Sequence, residues 1–155
     1  MNHALVLTPA KYKELEAELD ELVTVERPKI AERIRQARAL GDLSENFDYQ
    51  DAKRQQGFLE GRIADLKSML EKAHVQEYVT GGDTVAFGST AIVWDQEFEE
   101  EIAYKIVGAP EADPANNKIS NTSPIGEALL GKHVGDVVKV TTPGGVQTYE
   151  VRAIQ

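Results

Sequence analysis

Gly41-Asp42-Leu43-Ser44-Glu45-Asn46 separates two long runs of helical pattern, and its shortness decides how those runs lie. Upstream, from about Pro9 to Leu40, Leu15, Leu19 and Leu22 recur at spacings of four and three, and Ile30, Ile34 and Ala37 repeat the rhythm. Thr8 is placed to cap that helix and Pro9 suits its first position. Pro28 lacks an amide proton in mid-run, which predicts a kink or a restart. Downstream, from about Ser44 to His74, Ala52, Gln56, Leu59, Ile63, Leu66, Leu70 and Ala73 alternate in steps of four and three. That narrow stripe is a coiled-coil seam rather than the broader face of a globular helix. A link of a few residues forces antiparallel neighbours, so the first half of the chain is predicted to be a hairpin of roughly 45 Å, at 1.5 Å per residue.

The pattern changes near Thr80-Gly81-Gly82. Beyond it, β-branched runs alternate with turn residues, and strands are expected at 84–87, 90–94, 102–107, 136–141 and 146–154. Pro143-Gly144-Gly145 makes the last two a hairpin, and Ser123-Pro124 opens one short helix that ends near Gly131. The expected fold is α+β: an antiparallel coiled-coil domain at 1–79, then a small antiparallel sheet with one helix at 80–155.

The chain has 155 residues, a formal net charge of −9 and no cysteine. The charge argues against a sequence-independent grip on free DNA or RNA, which needs clustered cations, and favours a protein partner with a basic entrance. The lack of cysteine excludes disulfides and thiolate metal sites. With no apolar run of membrane-spanning length and no signal-like start, the chain reads as cytoplasmic. Residues 1–80 carry 12 basic and 15 acidic side chains, residues 81–155 carry 5 and 11. Near the link the sign reverses: Arg27, Lys29, Arg33, Arg35 and Arg38 precede it, and Lys53 and Arg54 follow. Such a run is either a solvated helix face or a stripe turned toward a polyanion.

Asp42 and Glu45 admit two readings. Asp-x-x-Glu at a helix start resembles a capping box, with Asp42 accepting from the Glu45 amide and the Glu45 side chain reaching back. The other reading is metal chemistry. Mg²⁺ prefers six oxygens, keeps several waters and is commonly held by one or two carboxylates plus phosphate oxygens. Two carboxylates on a rod cannot complete such a site, but they can complete one that a partner partly supplies.

The six residues at the link, with Tyr49, Gln55-Gln56-Gly57-Phe58 and Glu60-Gly61-Arg62, resemble the bacterial transcript cleavage factors of the Gre type, closest to the GreA branch. The resemblance continues through Ile106-Val107-Gly108, Glu111-Ala112-Asp113, Ile119-Ser120, Ser123-Pro124, Gly131-Lys132 and Thr142-Pro143-Gly144-Gly145. It implies a coiled coil that enters the secondary channel of RNA polymerase and an FKBP-like C-terminal domain that docks at the channel mouth. By the same resemblance Asp42 and Glu45 are the catalytic pair, sharing the second active-site Mg²⁺ with the polymerase, which itself hydrolyses backtracked RNA. The chain would then not be an autonomous nuclease. Arg38 and Lys53, with Arg54 as a further candidate, would contact the nascent RNA 3′ segment. Phe47-Asp48 departs from the family's commoner Ala-Glu.

A channel-binding inhibitor of the same shape is the competing reading, and the acids at 42 and 45 argue against it. A prolyl isomerase would need an aromatic-lined pocket, yet aromatics are 6 % of the chain. His3, His74 and His133 show no ligand spacing, and Glu97, Glu99, Glu100 and Glu101 read as a solvated edge.

Overall fold

The computed structural model describes residues 5–42 and 45–155. It divides into two compact units: Ala10–Lys72, and Ala73–Gln155 together with the residues up to Pro9.

The first unit is the helical hairpin. Helix α1 runs Pro9–Glu21, α2 Arg27–Arg38 and α3 Phe47–Lys72. Every seam position expected from the spacing is buried or half-buried, with Leu15, Ile34, Ala37, Ala52, Ile63 and Leu66 the most enclosed. The expected start of the second helix at Ser44 lies outside the described residues, as does His3; α3 itself begins at Phe47.

The break expected at Pro28 is a turn of π-helix, Leu22–Glu26, inserted between α1 and α2. The Arg27 amide donates to the Leu22 carbonyl, five residues back, where an α-helix would reach back four. Two features of the sequence meet here. Pro28 has no amide to give, and its place in the first turn of α2 makes that harmless. The seam also slips: continued without interruption from Leu22 and Glu26, it would fall on 29, 33 and 36. The buried side chains are instead Ile34 and Ala37, with Ile30 half-buried, while Lys29 and Gln36 are exposed and Arg33 is half-buried in its pairing with Asp51. A turn that takes in one extra residue absorbs that one-residue slip and keeps both halves of the arm on the seam.

In the second unit, β1 (Val6–Leu7) and β2 (His74–Val75) pair in parallel. Two-residue strands at the margins of a helical run leave no alternation to read, and they were not expected. The main sheet contains β3 (Thr90–Asp95), β4 (Glu100–Val107), β5 (Lys118–Ser120), β6 (Val137–Thr142) and β7 (Gly145–Ile154), in the order β5-β4-β3-β7-β6. All pairings are antiparallel except β4 with β5. The strand expected at 84–87 is not one. Val85 and Phe87 point inward, as alternation requires, but their backbones bond to loops: Val85 N–H to the Lys132 carbonyl, and the Phe87 carbonyl to Val79 N–H. Gly88, at φ +96° and against Tyr78, turns the chain away before a ladder can form.

The sheet core is Val85, Ala91, Val93, Ile106, Ile119, Leu129, Val138, Val140, Tyr149 and Val151. Helix α4 (Pro124–Leu129) packs against β5 and β6 and is capped by Ser123, whose hydroxyl accepts from Gly126 N–H at 3.1 Å. Trp94 is half-buried, with the Arg152 guanidinium 4.4 Å above its ring. Among the described residues no helix is long and apolar enough to cross a membrane.

Candidate functional site at the hairpin tip

The tip is built by the way α2 ends and α3 begins. Past Arg38 the chain stays helical for one more residue and then tightens, Leu40 N–H donating to the Ala37 carbonyl and Gly41 N–H to the Arg38 carbonyl. Gly41 takes φ +117°, which side chains rarely permit, and a Cβ there would meet nothing within 4 Å. Glycine is required by the backbone, not by crowding. Asp42 and Glu45 follow, both exposed.

Asn46 ends the loop. Its side-chain oxygen accepts from Tyr49 N–H at 3.0 Å, three residues on, which makes it the N-cap of α3. Its side-chain amide donates to the Ala37 carbonyl at 2.6 Å, in the last turn of the opposite arm. Its own carbonyl accepts the first helical bond, from Gln50. One side chain therefore caps one helix and ties it to the end of the other. Asn46 stood in the quoted motif without a role. The available signal was an Asn directly before Phe47-Asp48, a cap residue followed by a first-turn acid.

This geometry places the cap of α3 on a residue other than the two acids. The cap of α3 is Asn46, so Glu45 lies one residue outside the helix and Asp42 four residues beyond the cap. Neither occupies the N-cap of α3. Leu40 and Phe47, 73 % and 84 % exposed, flank the acids with apolar surface.

The basic stripe is largely neutralised, Arg27 and Arg33 from across the hairpin and Lys29, Arg35 and Arg54 by acids three residues away on their own arms. Arg33 donates to Asp51 at 2.7 Å and lies 3.6 Å from Asp48. That guanidinium, through its hydrogen bond first, holds the Asp51 carboxyl below its ordinary range. Arg27 pairs with Glu60, Arg62 with Glu18, Arg35 with Glu32 and Lys29 with Glu26. Among the candidate RNA contacts, Arg54 lies 3.5 Å from Asp51, already engaged by Arg33. Arg38, in the last turn of α2, stands over the Tyr49 ring at 5.7 Å, and Lys53 donates to Gln56 at 3.0 Å. Among the described residues neither is paired with a carboxylate. The stripe thus divides: Arg27, Lys29, Arg33 and Arg35 serve the rod, and Arg38 and Lys53 remain as charge near the tip.

Carboxylate oxygens are the hard donors that suit Mg²⁺, and two exposed ones fit as part of an oxygen shell. Among the described residues no three Asp, Glu or His side chains gather as a fuller ligand set.

The model for the N-terminal domain of a transcription elongation factor family matches residues 5–75, and the model for the GreA/GreB C-terminal domain matches residues 80–155. The chain is 51 % identical to the transcription elongation factor GreA of Thermoanaerobacter pseudethanolicus, over 100 % of this chain and 99 % of that protein. It is 52 % identical to GreA of Clostridium botulinum, strain Langeland, over 94 % and 92 %. Among solved structures it is similar to the GreA factor homolog 1 (Gfh1) protein of Thermus thermophilus, at 28 % identity and TM-score 0.47, over 98 % of this chain and 99 % of that one.

Proposed function

Because the chain belongs to the GreA/GreB family of transcription elongation factors, we propose that it rescues arrested transcription by carrying Asp42 and Glu45 into the polymerase active site at the end of its hairpin. The observation that carries this reading is the tip: both acids are exposed and outside a helix whose cap another residue supplies.

The hairpin would reach the active site through the secondary channel, with residues 80–155 docking at its mouth. Helix α3 alone has 26 residues, roughly 39 Å at 1.5 Å per residue, enough to reach a buried centre from outside. Internal pairing of Arg27, Arg33 and Arg35 leaves the shaft stiff and locally neutral in a channel built around a polyanion. Arg38 and Lys53 would grip phosphates of the backtracked RNA 3′ segment and hold it against the acids. Asp42 and Glu45 would complete the oxygen shell of a second Mg²⁺ shared with the polymerase and orient the water at a carboxylate oxygen. When bound, that ion would supply an activated water and neutralise the charge on the departing oxygen. The chain contributes the pair of donors; the hydrolysis remains the polymerase's own, as does its place in the cytoplasm.

The test is a stalled, backtracked polymerase complex given wild-type protein, Asp42→Asn or Glu45→Gln. Stimulated RNA cleavage by wild type should fall by about 100-fold or more in each variant, the scale on which removal of a charge-stabilising group costs rate. Binding to polymerase, measured by competition, should be retained. Undiminished cleavage in both variants would overturn the assignment. Wild-type protein that occupies polymerase without stimulating cleavage would make it a channel inhibitor instead.

A further inference from the structure

We infer that Asn46 is a positioning residue: its bond across the hairpin to the Ala37 carbonyl sets where the tip acids stand, separately from its role as a helix cap. This rests on the reading of Asp42 and Glu45 given above.

The tip runs from Ala37 to Asn46, and its two ends are joined by the 2.6 Å bond from Asn46 Nδ2 to the Ala37 oxygen. Ala37 is 1 % exposed, so the acceptor end of that tie is fixed in the seam. The same carbonyl accepts from Leu40 N–H at 3.1 Å, so the tie also touches the turn that leads into Gly41 and Asp42. At the other end Asn46 is bonded to Glu45 in the chain and anchored to α3 through Tyr49 N–H. Both acids lie between these anchors, so the tie bears on where they stand. The other backbone bonds of the first turn are those of Leu40 and Gly41, at 3.1 and 3.3 Å.

The two duties of Asn46 use different atoms. Capping needs an acceptor, which Asp provides as well as Asn does. The cross-hairpin tie needs a donor, which an ionised Asp lacks. Asn46→Asp therefore keeps the cap and cuts the tie, whereas Asn46→Ala loses both.

The experiment compares wild type, Asn46→Asp and Asn46→Ala in three measurements: thermal unfolding of the hairpin helices, amide hydrogen exchange at Leu40 and Gly41, and stimulated cleavage by backtracked polymerase across a Mg²⁺ titration. For Asn46→Asp the helix melt should stay near wild type while exchange at Leu40 and Gly41 accelerates. Cleavage should fall about 10- to 100-fold, as for a reacting group displaced by roughly an ångström, with a higher half-saturating Mg²⁺ and unchanged factor concentration for half-maximal binding. A mere extra negative charge would shift the Mg²⁺ requirement downward, so the direction separates the two. If only Asn46→Ala loses activity, in proportion to its lost helix stability, Asn46 is a cap alone and the inference is overturned. Loss of cleavage in Glu45→Gln beside intact cleavage in Asn46→Asp rejects the positioning role and spares the catalytic assignment; intact cleavage in both rejects the assignment itself.

Discussion

Removing one residue from a helix ordinarily rotates everything beyond it by about 100°, one residue's share of a 3.6-residue turn. In this hairpin the π-turn at Leu22–Glu26 predicts the opposite outcome. Deleting Val25, which is 41 % exposed, brings the Arg27 amide four residues from the Leu22 carbonyl in place of five. The turn then closes as α, and Ile30, Ile34 and Ala37 stay on the seam. Pro28 would now lie inside a continuous helix, where proline costs about 3 kcal/mol relative to alanine, so the deletion is paired with Pro28→Ala. That double variant should stay within about 1–2 kcal/mol of wild type and keep its tip-dependent activity; smaller surface changes of this kind are near neutral. Were the π-turn not absorbing a slip, the deletion would swing Ile34 and Ala37 off the seam along with half-buried Ile30. Burial of an Ile side chain contributes about 1.5–3 kcal/mol, so the loss would total roughly 3–5 kcal/mol, near the whole stability of a small unit. Pro28→Ala alone should change stability by less than about 1 kcal/mol, because proline in a first turn gives up no bond. The assay is urea unfolding followed by far-UV circular dichroism. A double variant without a cooperative helical transition would refute the slip, and a gain of about 3 kcal/mol from Pro28→Ala alone would show that the proline imposes the break.

Opposite ends of the pH scale should act on different units. Arg33, Arg35 and Arg62 hold Asp51, Glu32 and Glu18 below their usual range. The stability from these pairs is present above the carboxylates' ordinary titration near pH 4 and is lost as pH falls through their lowered values, so the helical signal should weaken there and more so in low salt. Burial raises Tyr78, Tyr149 and Tyr104. Their contribution is intact below pH about 10, where free tyrosine titrates, and is lost as pH climbs toward their raised values. Tyrosinate absorbance should therefore appear together with loss of the sheet's near-UV signal, and separate appearance of the two would refute the burial argument. Two glycines should respond in opposite directions. A Cβ on Gly126 would lie 2.1 Å from the Ser120 carbonyl oxygen, so Gly126→Ala should destabilise by about 2–3 kcal/mol or more. Gly57, exposed within α3 with nothing within 4 Å, should gain up to about 1 kcal/mol as alanine; equal effects at the two sites, read by thermal melts, would sink the comparison.

The hairpin was legible because a seam is a periodicity, and burial is what a periodicity records: all thirteen seam positions named from spacing are enclosed to some degree. The π-turn was half legible. Pro28 announced a break, while the eight-residue gap between Leu22 and Ile30 held the reason for its form. What could not be read were features made by contact between distant segments. Val6–Leu7 and His74–Val75 form a strand pair only because the chain returns to itself, and Lys118–Ser120 is a strand only beside β4. Thr84–Phe87 shows the converse, a correct inward alternation whose backbone partners at Val85 and Phe87 lie in loops. The basic stripe was only partly legible in one dimension: Glu26 and Glu32 sit three residues from Lys29 and Arg35, but Asp48, Asp51 and Glu60 become counter-charges of Arg33 and Arg27 only once α3 folds back.

Those counter-charges bear on the site itself. On the function proposed above, a rod entering a cavity near RNA needs its cations where they grip and nowhere else. Pairing Arg27 with Glu60 and Arg33 with Asp51 across the hairpin serves the fold and removes those charges from competition for phosphate. Each exposed pair adds little stability by itself, about 0–1 kcal/mol, so their number is better explained by where they leave charge than by how firmly they hold the helices. Arg38 is spared because its neighbour across the hairpin is a tyrosine ring, and Lys53 because its neighbour one turn on is Gln56 rather than an acid. Substituting Gln56 by Glu would extend the pairing to Lys53 without touching the seam's spacing. On this reasoning the change that most economically blunts the tip is one that adds a carboxylate beside its remaining cations, not one that removes them.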